Sequence, residues 1–205
     1  MEENIYGKYE EYLPYIMEGI VKTFNSYNDE CYKKTGDKIY EHLTSRIKSH
    51  ESMREKCVRK GLPVNEKSAL YDLKDAIGIR IVCAFIDDIY KIVDYIEQSK
   101  DINIVEKKDY IKHAKPNGYR SYHMILEIVS EFEDVLGNFP GHYFVELQIR
   151  TIAMDSWASL EHQLKYKKNI KNQDLIVAEL KRCADEMTSC DVSMQTIRDL
   201  IRDGD

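Results

Sequence analysis

His142–Lys167, HYFVELQIRTIAMDSWASLEHQLKYK, changes its period halfway along. Tyr143, Val145, Leu147 and Ile149 alternate with Phe144, Glu146, Gln148 and Arg150, the period of two that marks a β-strand. After Thr151, Met154, Trp157, Leu160, Glu161 and Leu164 take helical spacing and leave His162 and Lys165 together on a neighbouring face. A strand therefore runs straight into an amphipathic helix near Ile152. One strand face suits a core, and the other sets a carboxylate beside an amide and a guanidinium. Alone, this is also the pattern of an edge strand with one solvated face, so a chemical role for Glu146 needs support from the rest of the chain.

The rest of the chain reads as alternating elements. Residues 3 to 28 form a helix with Tyr9, Leu13, Ile16, Ile20, Phe24 and Tyr27 on one stripe, and Gly36 closes it. Strands are expected over Ile39–Lys48, Ile77–Phe85, Ile102–Val105, Tyr119–Ile128 and Tyr143–Arg150, with helices over Ser52–Arg59 and Asp87–Gln98. Pro116-Asn117-Gly118 and Gly137–Gly141 supply turns. The expected fold is α/β (α+β), a mixed and mostly five-stranded sheet flanked by helices. Over the last thirty residues Ile176, Leu180, Cys183, Met187, Cys190, Met194, Ile197 and Ile201 recur at steps of four and three, a heptad seam that needs a partner. That partner is the N-terminal helix or another subunit, and intramolecular packing with some subunit contact ranks first. We divide the single domain into an N-terminal helical segment (1–36), a core (37–168) and a C-terminal helix (169–205).

Composition narrows the functional classes. At 205 residues, 43% hydrophobic and 32% charged, the chain can bury a real core. No apolar run reaches the ~20 residues that span a bilayer, and the acidic, aromatic start MEENIYGKYEEYL is unlike a signal peptide, so we expect a cytoplasmic protein without membrane contact. The five cysteines lack CxxC spacing and read as reduced packing residues. A net charge of −6 argues against coating nucleic acid, yet cations gather in two islands. One is RIKSHESMREKCVRK, Arg46–Lys60; the other holds Lys107, Lys108, Lys112, Lys115 and Arg120. Arg54 and Lys107 read as solvated surface, whereas Arg46 with Lys48, and Lys56 with Arg59 and Lys60, have the spacing of a polyphosphate clamp.

Two further segments add chemistry. Asp75 precedes the buried strand in DAIGIR, where Gly78 permits close backbone approach and Arg80 projects opposite the isoleucine face. If that strand neighbours the one bearing Glu146, the two acids converge at one end of the sheet and can share a Mg²⁺ completed by substrate phosphates and water; by itself Asp75 is equally a turn or cap residue. In KPNGYRSYH, Lys115–His123, the glycine turn delivers Tyr119, Ser121 and His123 to one face of a strand. There a tyrosine ring can stack on a base while Lys115 and Arg120 reach phosphates.

RIKSHESMREKCVRK, DAIGIRIVCAFIDDIY, KPNGYRSYH and VELQIRTIAMDSWASLEHQLKYK, in this order, strongly resemble the synthetase domain of the RelA/SpoT family across roughly Ile39 to Lys168. The chain looks like a stand-alone small alarmone synthetase. The resemblance implies a nucleotidyltransferase-like fold and transfer of the β,γ-pyrophosphate of ATP to the 3′-hydroxyl of GDP or GTP, giving ppGpp or pppGpp and AMP. It implies no alarmone hydrolysis, since no His-Asp pair occurs. By the same resemblance Asp75 and Glu146 hold Mg²⁺ and Glu146 also accepts the 3′-hydroxyl proton. Arg46 and Arg80 sandwich adenine, and Lys48, Lys56 and Arg59 surround the ATP phosphates. Tyr119 stacks on guanine with His123 and Gln148 nearby, and Lys115 serves the acceptor's phosphates. Ala114 departs from the family's usual proline and leaves Lys115 and the turn intact. Relatives form homotetramers, so homo-oligomerisation and regulation by alarmone or single-stranded RNA are expected. Two alternatives stay open: a same-fold toxin that pyrophosphorylates tRNA or adenine nucleotides, and a non-catalytic RNA-binding regulator.

Overall fold

The computed structural model describes residues 4–165 and 172–204, so the Tyr166–Lys168 end of the resemblance lies outside the described residues. A short 3₁₀ turn, Gly7–Tyr12, leads into α1 (Leu13–Thr35), which has Pro14 in its first turn and ends on Gly36 at φ 78°. Leu13, Ile16, Ile20 and Phe24 of the expected stripe are buried, and Tyr9 and Tyr27 pack at its rim.

β1 (His42–Ile47) follows, then α2 (His50–Lys60), capped by the Ser49 hydroxyl at one end and by Gly61 in the left-handed conformation at the other. After a π turn at Ser68–Asp72 come β2 (Ile77–Cys83), α3 (Ile86–Gln98), β3 (Ile102–Asp109), β4 (Tyr122–Ser130), β5 (Gly141–Thr151), α4 (Ile152–Lys165) and α5 (Gln173–Asp203). The sheet has five strands in the order β1-β2-β5-β4-β3; β2 and β5 are parallel and the other pairs antiparallel. The mixed sheet with helical ends matches the expected architecture, and the strand-to-helix switch falls at Ile152.

Three expectations are corrected. β5 lies at the centre of the sheet, and its second face is only partly solvated: Phe144 and Arg150 on that face are 6% and 4% exposed, while Glu146 and Gln148 between them are half-buried. Tyr71 and Lys74 cover Phe144, while Tyr119 and Asp155 enclose Arg150. β4 begins at Tyr122 rather than Tyr119, because the preceding loop bonds to itself: the Gly118 N–H reaches the Lys115 carbonyl at 2.8 Å and the Lys115 N–H the Tyr119 carbonyl at 3.1 Å.

The third correction concerns α5. Its buried face carries Leu180, Ala184 and Asp191, whereas Cys183, Cys190, Met194, Ile197 and Ile201 of the proposed seam are exposed. Polar anchors turn the helix off its heptad. The Thr151 hydroxyl donates to Asp191 at 2.6 Å, Arg198 pairs with Asp88 at 2.8 Å, and the Trp157 indole N–H donates to the Leu180 carbonyl at 2.8 Å. α5 thus packs chiefly on α4 and α3, where Trp157, Leu180 and Ala184 form a small second cluster apart from the main core.

Candidate active site

The parallel pairing of β2 with β5 sets Gly78 opposite Glu146 and Arg80 opposite Gln148, the adjacency a shared site requires. On the other side of β2, β1 sets Arg46 opposite Gly78 and Thr44 opposite Arg80, so the two arginines are diagonal neighbours on one face. Arg46, Arg80, Glu146 and Gln148 line a cleft of about 150 Å³ floored by Gly78. A Cβ on Gly78 would come no nearer than 3.9 Å to Arg46, so no protein backbone crowds this glycine as expected; its bareness keeps the cleft floor low.

Asp75 sits on the turn before β2 and is 7% exposed. Its Oδ2 accepts from the ammonium groups of Lys48 and of Lys56, the latter at 2.5 Å, whereas its Oδ1 is enclosed without a hydrogen-bond partner. The turn residue is therefore the hub of the first basic island. Lys48 is held in place by its backbone, whose N–H reaches the Ala76 carbonyl at 2.9 Å and whose carbonyl accepts from the Tyr6 hydroxyl at 2.7 Å. Arg59 and Lys60 are exposed in the last turn of α2. Arg54, expected to be solvated, is half-buried with its Nη2 enclosed, while Lys107 pairs at the surface with Glu97 at 2.7 Å, as expected of a solvated charge.

The acceptor half gathers around the loop before β4. Gly118, at φ 91°, lies against α5: an added Cβ would meet Ala184 Cβ at 2.6 Å. Asn117 anchors the loop to Glu161 of α4 at 3.1 Å. Tyr119 still meets His123 although it lies outside the strand, its hydroxyl 2.8 Å from Nε2. Burial, reinforced by the nearby charges of Arg150 and Lys115, pushes the His123 pKa down to about 3, so the ring is neutral at ordinary pH. The Lys115 ammonium rides over the rings of Tyr110 and Tyr119 at 4.6 and 4.8 Å. Arg120 is turned away from a phosphate role by the Ile111 carbonyl at 2.8 Å and Asp185 at 3.7 Å.

Sequence reasoning noted Arg150 on the polar strand face without giving it a part, and it passed over Asp155. The structure makes them the link between the halves. Arg150 donates to Asp155 at 2.9 Å, to Gln148 Oε1 at 2.8 Å and to the Tyr119 hydroxyl at 2.7 Å, and Asp155 also meets Arg80 at 3.3 Å. Gln148 in turn donates to Glu146 at 3.1 Å. Burial, and then the neighbouring Arg150 charge, lower the Arg80 pKa from its ordinary value. The available signal was an arginine inside a strand whose neighbours read as core, followed five residues later by an acid in the first turn of a helix.

Among the described residues no group of three or more acids, histidines or cysteines gathers as a closed metal cage. The enclosed, unpartnered Oδ1 of Asp75 is a free hard ligand beside two cations, which fits a divalent ion whose remaining shell comes from substrate and water.

Comparison with known proteins places the chain among the following relatives. Residues 45–171 match the family model described as a region found in RelA / SpoT proteins. The chain is 39% identical over 184 residues to the GTP pyrophosphokinase YwaC of Bacillus subtilis, covering 90% of this chain and 86% of that one. It superposes on small alarmone synthetase 1 of Bacillus subtilis, solved with its product pppGpp, at TM-score 0.76 and 31% identity, covering 95% of each chain. A GTP pyrophosphokinase family protein from Streptococcus pneumoniae superposes at TM-score 0.77 and 33% identity, over 97% of this chain and 96% of that one.

Proposed function

The chain belongs to the RelA/SpoT family, and we propose that it acts as a small alarmone synthetase, a GTP pyrophosphokinase that moves the β,γ-pyrophosphate of ATP onto the 3′-hydroxyl of GDP or GTP. The observation that carries the reading is the β2–β5 pairing, which makes the cation-rich cleft and the Glu146–Gln148 edge one continuous floor.

Each half has its own task. Arg46 and Arg80, diagonal on one face, can take an adenine between them, and Lys48, Lys56 and Arg59 supply positive charge for the triphosphate. Lys48 and Lys56 are held by Asp75 before any nucleotide arrives, so little reorganisation is needed when phosphate oxygens enter. Tyr119 offers a ring face to the acceptor base once Lys115 swings toward the acceptor's phosphates, with His123 and Gln148 beside it. Glu146 takes the 3′-hydroxyl proton as that oxygen bonds to the β-phosphorus and the α–β bridging oxygen leaves with AMP. Catalysis is mostly alignment and charge neutralisation, for which one base suffices. Asp75 and Glu146 are the residues that would hold Mg²⁺, which when bound neutralises phosphate charge.

The finer setting follows the same reading. The exposed apolar residues of α5, Met194, Ile197 and Ile201, are suited to burial between subunits, consistent with a homo-oligomer, a tetramer by family resemblance, open to regulation by alarmone or single-stranded RNA. None of the described helices is long and apolar enough to cross a membrane; the cytoplasmic setting is part of the proposal.

The test is to incubate the protein with Mg²⁺, γ-labelled ATP and, in turn, GMP, GDP, GTP, ADP and tRNA. Label is expected on GDP or GTP. Label on none would overturn the assignment, and label on tRNA or ADP alone would replace it with the toxin alternative.

A further inference from the structure

Among the described residues Arg150 is the only lysine or arginine that is fully buried, at 4% exposure. A guanidinium in that position is costly unless every donor has a partner. Here Nη1 meets Asp155 at 2.9 Å, Nε meets the Ser121 hydroxyl at 3.4 Å, and the single Nη2 forks to Gln148 Oε1 at 2.8 Å and the Tyr119 hydroxyl at 2.7 Å. Each prong continues into the acceptor half. Gln148, its carbonyl oxygen claimed by Arg150, must turn its NH₂ outward, and that group holds Glu146 at 3.1 Å. Tyr119 accepts from Arg150, which has nothing to accept in return, and the nearest acceptor for its one hydroxyl hydrogen is Nε2 of His123 at 2.8 Å. An imidazole that accepts at Nε2 while neutral carries its proton on Nδ1. His123 also lines a small cavity with Glu106, Lys108 and Glu146.

The geometry points to Arg150 as the positioning residue of the acceptor half: it fixes the Gln148 amide that orients Glu146 and, through the Tyr119 hydroxyl, locks His123 as the Nδ1–H tautomer, a donor for an acceptor atom of the incoming nucleotide. Asp155 holds Arg150 from behind at 2.9 Å, and the same Oδ1 meets Arg80 at 3.3 Å. The kinetic part rests on the function proposed above; the tautomer does not.

Two measurements decide it. Nitrogen-15 NMR of histidine-labelled protein at pH 7 should show His123 neutral and protonated on Nδ1, and Tyr119→Phe, which keeps the ring and removes the hydroxyl, should abolish that preference. An Nε2–H or charged His123 in the unaltered protein overturns the inference whatever the activity. In steady-state kinetics Arg150→Gln should raise KM for GDP about tenfold or more with KM for ATP within about twofold, and Arg150→Lys, which keeps the charge but not the fork, should recover only part of it. An unchanged KM for GDP, or equal rises for both substrates with a lowered melting temperature, overturns the positioning role. Should Arg150→Gln fail to fold, Tyr119→Phe carries the same kinetic prediction. Absence of transfer by the unaltered protein would sink the proposed function and leave the tautomer result standing.

Discussion

The two halves of the cleft solve the same electrostatic problem in opposite ways. On the β1–α2 side the cations are partly exposed, and two of them converge on one carboxylate, Asp75. On the β4–β5 side the central cation is buried, meets one carboxylate, Asp155, and passes its remaining hydrogen bonds through neutral groups, Gln148, Tyr119 and His123. Partly exposed ammonium groups gathered on one carboxylate are point charges that a triphosphate can meet from several directions, and salt screens them more than a buried charge. A buried fork with fixed donors adapts to nothing, and so can set the geometry of a reacting hydroxyl. The difference teaches that charge count locates the ATP side, whereas hydrogen-bond order locates the acceptor side.

Perturbing one half at a time would break or sharpen that contrast. Glu146→Gln, at the seam between the halves, should lower kcat by about 10²- to 10⁴-fold while titration finds both nucleotides still bound; normal turnover would remove its role as base. Gly118→Ala should cost about 2–3 kcal/mol of stability and raise acceptor KM more than ATP KM, since φ 91° and a 2.6 Å approach to Ala184 both oppose a methyl group. A thermal melt and paired KM values read the two effects. Lys56→Ala should do the reverse, raising KM for ATP by about tenfold with little change for GDP; an equal change in both would mean that the halves are not separable.

Acid should act through the buried side. His123 is pushed down to about 3 in the folded state and titrates near 6.5 when unfolded, so between those values the unfolded chain binds the extra proton. Stability contributed by the neutral ring is therefore complete above pH 6.5 and is lost progressively as pH falls toward 3. His123→Gln should flatten that part of the denaturation profile, and an unaltered slope would show that the ring is solvated. The smallest effect belongs outside both halves. Lys107→Ala breaks only an exposed pair with Glu97 and should leave stability within about 0.5 kcal/mol and kinetics unchanged.

Much of this was legible without coordinates, for reasons that differ by element. The central strands announce themselves because every second residue from Tyr143 to Ile149 must be apolar to meet a core, and the break at Thr151 because the period changes there. Gly36 and Gly61 mark helix ends since both sit in the left-handed region. Asp75, Glu146, Tyr119 and the basic residues were singled out by type and by resemblance. The α5 seam misled because apolar spacing competes with polar anchors that have no period: Asp191, Gln195 and Arg198 hold the helix through Thr151, Asp87 and Asp88, residues far away in the chain.

By itself the sequence determined the five strands, their flanking helices, the family and the residue types that chemistry on two nucleotides requires, all properties of local period and side-chain type. Only the tertiary structure decided that β5 is central, that Phe144 and Arg150 on its second face are enclosed, and that Arg150, Asp155 and Gln148 form one hydrogen-bonded chain across the cleft. Alternation states that a side chain points to one side of a strand; what covers that side depends on which distant segments return to it, and that is a property of packing.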